Sequence, residues 1–241
     1  MQSVNRQSFH RPNEERFTFK MDEASKTKKT WGDLEKSIVN GKGIDIGCGP
    51  DPVTPNVRRF DIEDGDANHI EDFIHEQFDY VYSAHCLEHM YHPKEALMGW
   101  WNLVKPGGHM ILIVPDEDLY EQGVFPSRFN ADHKSTFTIS KHHSWSSASI
   151  NLLSLTQELP HVKVLSIALQ DDGYDRSLLN HGIHAKTPLT RTLLRLYQRW
   201  TNLKLPKISS LEIIREKFQP IDQTLLPGVL AQIQCVLLKQ N

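Results

Sequence analysis

A chain of 241 residues, 39% of them hydrophobic, is long enough to bury a full core, so one domain carrying an elaboration is expected. Charged residues make up 24% and the formal net charge is −3, which excludes a global basic field for nucleic acid or an anionic membrane. Cys48, Cys86 and Cys235 are too scattered for a disulfide framework or a zinc-site spacing, which fits a reducing, cytoplasmic setting, and no run approaches the roughly 18 apolar residues of a membrane span.

Residues 1–29 are polar and weakly periodic, with Lys26, Lys28 and Lys29 close together, and read as an extended or disordered arm with no part in chemistry. From Thr30 the pattern changes, and residues 30–241 form the expected domain. Thr30 and Asp33 have capping-box spacing, Trp31, Leu34 and Ile38 share a helical face, and Gly41 supplies a stop. The strand-like run "GIDIG" follows, then "VRRFDI", "FDYVYSA", "HMILIVP", "VKVLSIAL" and "LAQIQCVLL". Between two of these, Pro93 opens a helix whose apolar positions are Leu97, Trp100, Trp101 and Val104. The alternation predicts an α/β sheet. Residues 175–226 read as an insertion before the last strand. Within it Leu189, Leu193, Leu196, Tyr197 and Trp200 line one face of a helix and Arg191, Arg195 and Arg199 another. That basic stripe suggests a solvated face, a clamp for a phosphate-bearing acceptor, or peripheral contact with a membrane surface.

The loop "GIDIGCGPDP" carries the first chemistry. Gly47 and Gly49 let backbone N–H groups approach a ligand closely. A dinucleotide fingerprint would place a third glycine where Pro52 stands and would open a helix that Pro50, Pro52 and Pro55 discourage, which argues against a nicotinamide oxidoreductase. Asp45, two residues before Gly47, offers negative charge to a cationic ligand.

"GIDIGCGPDP", "RRFDIED", "FDYVYSAHCLEH" and "LVKPGGHMILIVPD", in that order, resemble the motifs of class I S-adenosylmethionine (SAM)-dependent methyltransferases of the UbiE/UbiG-like type. The resemblance is close over residues 43–116 and implies a Rossmann-like seven-stranded sheet with helices on both faces. Its last strand would run antiparallel, inserted between the fifth and sixth. It implies SAM as cofactor and S-adenosylhomocysteine as product, held around Asp45, Gly47, Cys48 and Gly49. Asp61, at the end of the second strand, is implied to accept bonds from a ribose diol, for which two carboxylate oxygens are suited. Only five residues separate Asp61 from Asp66, too few for a crossover helix. Either the helix after the second strand is lost or the third strand is "ANHIED" with adenine contacts at Asp72 and Phe73; the second register is preferred because it leaves Gly65 and Asp66 as the turn, with Asp66 a weaker candidate. Ser83, Ala84 and His85 are implied to lie near the methionine end.

His85, Glu88 and His89 have the H-x-x-E-H spacing of some zinc sites. One related methyltransferase group carries a divalent metal at E-x-x-E-H here. With His85 replacing the first Glu, and Leu-Glu-His common in metal-free relatives, the expected site contains no metal. Residues 116–145 are expected to cover the acceptor. His133 in "NADHKSTFT" is the preferred base for a hydroxyl, with His85 as the second catalytic candidate. The acceptor is expected to be a saccharide or glycan-pathway hydroxyl, with a small metabolite or natural product as the alternative and a non-catalytic SAM-binding protein as a remote one. The sequence leaves the oligomeric state open.

Overall fold

The computed structural model describes residues 23–181 and 220–241. The basic stripe at Arg191, Arg195 and Arg199, and with it the centre of the expected insertion, lies outside the described residues. The elements in chain order are α1 (Glu23–Thr27), α2 (Asp33–Ile38), β1 (Gly43–Ile46), β2 (Arg58–Phe60), β3 (Phe78–Ala84), α3 (Pro93–Asn102), β4 (Val104–Pro115), β5 (Thr136–Thr138), β6 (Ser149–Asn151), α4 (Leu152–Gln157), β7 (Val162–Gln170) and β8 (Gln232–Lys239). The main sheet runs β2-β1-β3-β4-β8-β7. β1 is parallel to β2 and β3, β3 is parallel to β4, and β8 is antiparallel to both β4 and β7. No helix among the described residues is long and apolar enough to cross a membrane.

The buried interior follows the apolar runs. β1, β3, the middle of β4 and β8 are covered on both faces, so they read as continuous apolar stretches and not as an alternation. α3 turns Trp100 and Trp101 fully inward, and each indole N–H finds a carbonyl: Trp100 donates to Ala67 at 2.8 Å and Trp101 to Pro160 at 2.9 Å. Two large aromatic surfaces are thus buried with no orphaned donor.

Among the described residues the sheet has six strands where seven were expected, because "ANHIED" is not a strand. Parallel neighbours need a crossover of about a dozen residues or more, and the stretch after Asp61 turns back at once. Asp64 and Gly65 both donate their N–H to the Asp61 carbonyl, at 2.8 and 3.2 Å. Gly65 sits at φ 154, where a Cβ would meet the Phe73 ring at 2.7 Å. The Asp66 carboxylate then accepts the Asn68 N–H at 2.9 Å, and Ala67–Asp72 winds into a 3-10 turn that buries Ile70 beneath α3.

Two further expectations change at the N-terminal end. α2 is capped at Gly32, whose N–H donates to the Glu35 carboxylate at 3.1 Å, while the Thr30 hydroxyl is turned to the Thr27 carbonyl at 2.8 Å. The end of the expected arm is helical and docked: Ala24, Lys26 and Thr27 are buried, and Ser25 bonds Asp51 through both its N–H and its hydroxyl at 2.7 Å.

The cover over the carboxyl end of β4 is pinned by one acid. Glu117 is fully buried and accepts from Lys141 at 2.9 Å, Ser144 at 2.8 Å, Ser149 at 2.6 Å and Thr136 at 3.1 Å. Removing one partner of such a buried charged network costs on the order of 3 kcal/mol. Glu117→Ala is therefore expected to lower the melting temperature by roughly 6–12 °C in a chain of this size, which thermal denaturation followed by circular dichroism checks. A shift below about 2 °C would mean the cover is held by other contacts.

Candidate functional site

A cavity of about 700 Å³ opens at the carboxyl ends of β1, β2 and β3, where open α/β sheets bind ligands. Gly47, Gly49 and Asp61 form one wall, and His85, His89 and Lys134 stand on another. A smaller pocket of about 90 Å³ adjoins it behind the glycine loop, lined among others by Glu23, Asp45, Cys48, Tyr82, Ala84 and His85. Gly47, Gly49 and His85 belong to both.

The loop takes this course because its glycines allow it. Gly47 lies at φ 73 and donates its N–H to the Phe60 carbonyl at 2.8 Å, and Gly49 lies at φ 49. Asp61 accepts the Gly49 N–H at 2.6 Å on one oxygen and the Ile62 N–H at 2.8 Å on the other. Each oxygen keeps a lone pair for a ligand. Arg59 bonds Cys48 Sγ at 3.3 Å and the Gly49 carbonyl. Asp45 is nearly inaccessible and accepts the Val53 N–H at 2.7 Å. Burial, only partly offset by that bond, pushes its carboxyl up to about 7.

Ser83 lines neither space. It is buried inside the sheet with its hydroxyl donated to the Ile46 carbonyl at 3.0 Å, a clamp between β1 and β3. Asp72 and Phe73 also lie off the cavity. Asp72 ends the exposed side of the 3-10 turn, and the half-exposed Phe73 ring packs at a tilt against Phe60, with centroids 6.1 Å apart. Asp66 does reach the cavity, while spending one oxygen on the Asn68 cap.

The acceptor side is a compact group of titratable side chains. His85 sits at φ 53, with Nε2 at 2.9 Å from the Gln232 side-chain oxygen and Nδ1 at 3.5 Å from Glu88, a charge contact too long for a hydrogen bond. Burial favours its neutral form, yet Glu88, Glu23 and the Gln232 contact outweigh this and hold it up at about 9. His85 is therefore a cation at neutral pH and a poor base. His89 lines the cavity with Nδ1 at 2.8 Å from Asp132.

His133, the expected base, is brought to the same place but stands behind the wall. It is buried, Nδ1 bonds Glu121 at 2.7 Å, Nε2 lies 3.9 Å from Glu88, and Tyr120 stacks on the ring at 5.2 Å. It is not among the residues that line the 700 Å³ cavity. The cover docks here through its backbone: the N–H groups of Lys134 and Ser135 both donate to the Glu88 carbonyl, at 2.8 and 3.2 Å.

Sequence reasoning missed Glu23, Asp132 and Glu121. Glu23 was assigned to the arm. Asp132 and Glu121 join the group only through tertiary folding, and nothing in their sequence neighbourhood marks them.

A family model described as "Methyltransferase domain" matches residues 23–149. No curated protein matches the chain in sequence. Among solved structures, a candidate methyltransferase from Bacillus halodurans is 13% identical with a TM-score of 0.46, the match covering 86% of this chain and 97% of that one. A candidate sarcosine dimethylglycine methyltransferase from Galdieria sulphuraria is 14% identical with a TM-score of 0.43, covering 86% and 81%. Phosphoethanolamine N-methyltransferase 2 of Haemonchus contortus, solved with SAM, is 14% identical with a TM-score of 0.44, covering 86% and 51%. Likenesses this distant speak to no substrate. The family match, by contrast, spans just over half of the 241 residues and takes in the glycine loop, Asp61 and the histidine group alike, so the chain belongs to the methyltransferase-domain family.

Proposed function

We propose that this methyltransferase moves the methyl group of SAM to an oxygen of a small acceptor, a saccharide or glycan-pathway hydroxyl, leaving S-adenosylhomocysteine. The observation that carries the reading is the continuity of one cavity from Gly47, Gly49 and Asp61 to His85 and His89. SAM, when bound, supplies an electrophilic methyl on a sulfonium centre. The residues fit that cofactor. Asp61 keeps acceptor capacity for a diol, Asp45 and Glu23 stand where a cationic end would sit, and the buried Tyr82 hydroxyl lining the smaller pocket has no partner among the described residues.

At the other end, Asn68, Asp132 and Lys134 place polar groups beside the exposed ring of Tyr91, a mixture suited to a hydroxyl-bearing ring. Transfer to a hydroxyl requires its proton to leave as the methyl arrives, and of the histidines gathered here His89 lines the cavity, with His133 behind its wall. The rest of the rate comes from alignment and exclusion of water by the 116–145 cover.

The test is calorimetry with SAM, S-adenosylhomocysteine and NADH, followed by methyl-labelled SAM with a panel of free sugars, sugar phosphates and amines. Heat from NADH and none from SAM would overturn the cofactor assignment. Label found on amines alone would overturn the hydroxyl acceptor.

The raised Asp45 carboxyl has a pH consequence. Its neighbours are the Val53 N–H, Asp51, Arg59 and Asp61, and below about 7 it is mostly protonated. A cationic ligand needs the ionised form, so SAM affinity is expected to rise with pH from 5.5 toward 7.5, by up to roughly tenfold per unit below the midpoint. Asp45→Asn should flatten the profile in calorimetry at a series of pH values. In the free protein the sign on stability is opposite. A carboxyl raised from 3.8 to about 7 contributes most below its unfolded value, and the contribution is lost as pH climbs toward 7.

A further inference from the structure

We propose that Glu88, His89 and His133 bind one divalent first-row transition-metal ion beside the acceptor end of the cavity. One ligand atom from each of the three lies within 4.8 Å of the others. The Glu88 carboxylate is fully buried, and neither of its oxygens has a hydrogen-bond partner. A buried carboxylate without hydrogen bonds is costly, and the His85 ring at 3.5 Å offsets its charge without donating to it, so both oxygens keep lone pairs for a further ligand.

The two histidines are set up as ligands. His133 gives Nδ1 to Glu121 at 2.7 Å and His89 gives Nδ1 to Asp132 at 2.8 Å, so each ring carries its lone pair on Nε2. Carboxylates that hold the second nitrogen of a metal-binding histidine in this way fix its tautomer and raise its basicity. The rings are also held in place: Tyr120 stacks on His133 at 5.2 Å, and the His89 ring meets it edge-on at 5.0 Å. His133 Nε2 is already 3.9 Å from Glu88 Oε1. Metal bonds of about 2.1 Å bring ligand atoms to roughly 3.0–3.5 Å of one another, so the His133–Glu88 pair closes by about half an ångström and the widest pair by up to roughly 1.8 Å, through small rotations of the three side chains.

Two imidazoles and one carboxylate suit Zn²⁺, Fe²⁺ or Co²⁺ and not the all-oxygen preference of Mg²⁺ or Ca²⁺. Three protein ligands leave at least one position for water or another oxygen, and His89 is where the group meets the cavity. The set differs from the His85, Glu88, His89 run, for which no metal was expected. His85 is turned to Gln232, and the third ligand comes from the cover instead. An ion here would tie the cover to the end of β3. Metal binding at these residues does not depend on which acceptor is methylated.

The experiment uses the full chain, stripped with EDTA and free of SAM, titrated with Co²⁺ by visible absorption and with Zn²⁺ by calorimetry. One equivalent with a ligand-field band, displaced by Zn²⁺, is expected. Glu88→Gln and His133→Ala should weaken Co²⁺ binding by about 100-fold or more, and Asp132→Asn by roughly 10- to 100-fold. Asp61→Ala should leave the Co²⁺ titration unchanged.

A second measurement needs no variant: Zn²⁺ should protect His89, the ligand that lines the cavity, from carbethoxylation, read by peptide mass spectrometry. Absence of a saturable one-equivalent site, unchanged affinity in Glu88→Gln, or an unprotected His89 would each overturn the proposal. SAM calorimetry run in parallel keeps the two ideas separate. Co²⁺ binding without SAM binding would sink the methyl-transfer reading and leave the metal site standing, and the converse would do the opposite.

Discussion

Gly47→Val is expected to abolish measurable SAM binding, a loss of about 100-fold or more in calorimetry. Two independent costs meet at this residue. At φ 73 an L-residue pays about 1–2 kcal/mol, and a β-branched side chain pays more. A Cβ would also lie 2.7 Å from Cys86 Cβ and 2.8 Å from its sulfur, and Cys86 is itself packed in the core. The loop must therefore move, and with it the N–H that closes on Phe60 and the neighbouring Gly49 N–H that holds Asp61. Gly107→Ala is the control. It has a similar φ of 76, but its nearest contact for a Cβ is ordinary at 3.8 Å, and it stands at the far end of β4. It should lose no more than about 2 kcal/mol of stability and bind SAM normally. SAM affinity within threefold of wild type in Gly47→Val would mean the cofactor does not lie over this loop.

His133→Ala is expected to lower turnover by roughly 100-fold to 10,000-fold while SAM affinity changes less than about twofold, since the residue stands at the acceptor end and outside the glycine loop. The buried placement adds a diagnostic. A buried side chain that does not line this cavity should not be replaced by imidazole added to the solvent, whereas raising Co²⁺ or Zn²⁺ about 100-fold should restore part of the rate if the lost function is that of a ligand. Because removal of the ring leaves Glu88 and Glu121 together without their shared partner, His133→Asn should be carried alongside with a melting curve for each. Full activity in both variants would remove His133 from the reaction and pass the proton to His89.

Much of the fold was readable because its signals are local. The strand runs from "VRRFDI" to "LAQIQCVLL" and the helix opened by Pro93 are each specified by apolar pattern and a turn residue, and all appear. The antiparallel strand between its two neighbours followed from the family resemblance. "ANHIED" went wrong because a register was assumed where the chain between Asp61 and Asp66 leaves no length for a crossover. In the site, Gly47, Gly49, Asp61 and His85 were visible since one loop and two strand ends carry them. Glu121 and Asp132 were not, since what makes them matter is a hydrogen bond to a histidine on another part of the fold. Ser83 looked like a ligand contact because its position in the motif is the same whether its hydroxyl faces the cavity or, as here, the next strand.

The position of β8 has a bearing on biosynthesis. β8 spans Gln232–Lys239, yet it lies inside the sheet and pairs with seven residues of β4, more than a hundred positions earlier. A nascent chain that has not yet released Gln232 onward from the ribosome carries both β4 and β7 as open edges, each apolar and ready to pair with another copy. The cofactor loop, Asp61 and β3 would all have emerged by then. Closing so long a loop is slow because its entropy is spent before the pairing rewards it. Closure of this sheet therefore waits on β8, and the interval before β8 arrives is when chaperones would have the most to shield.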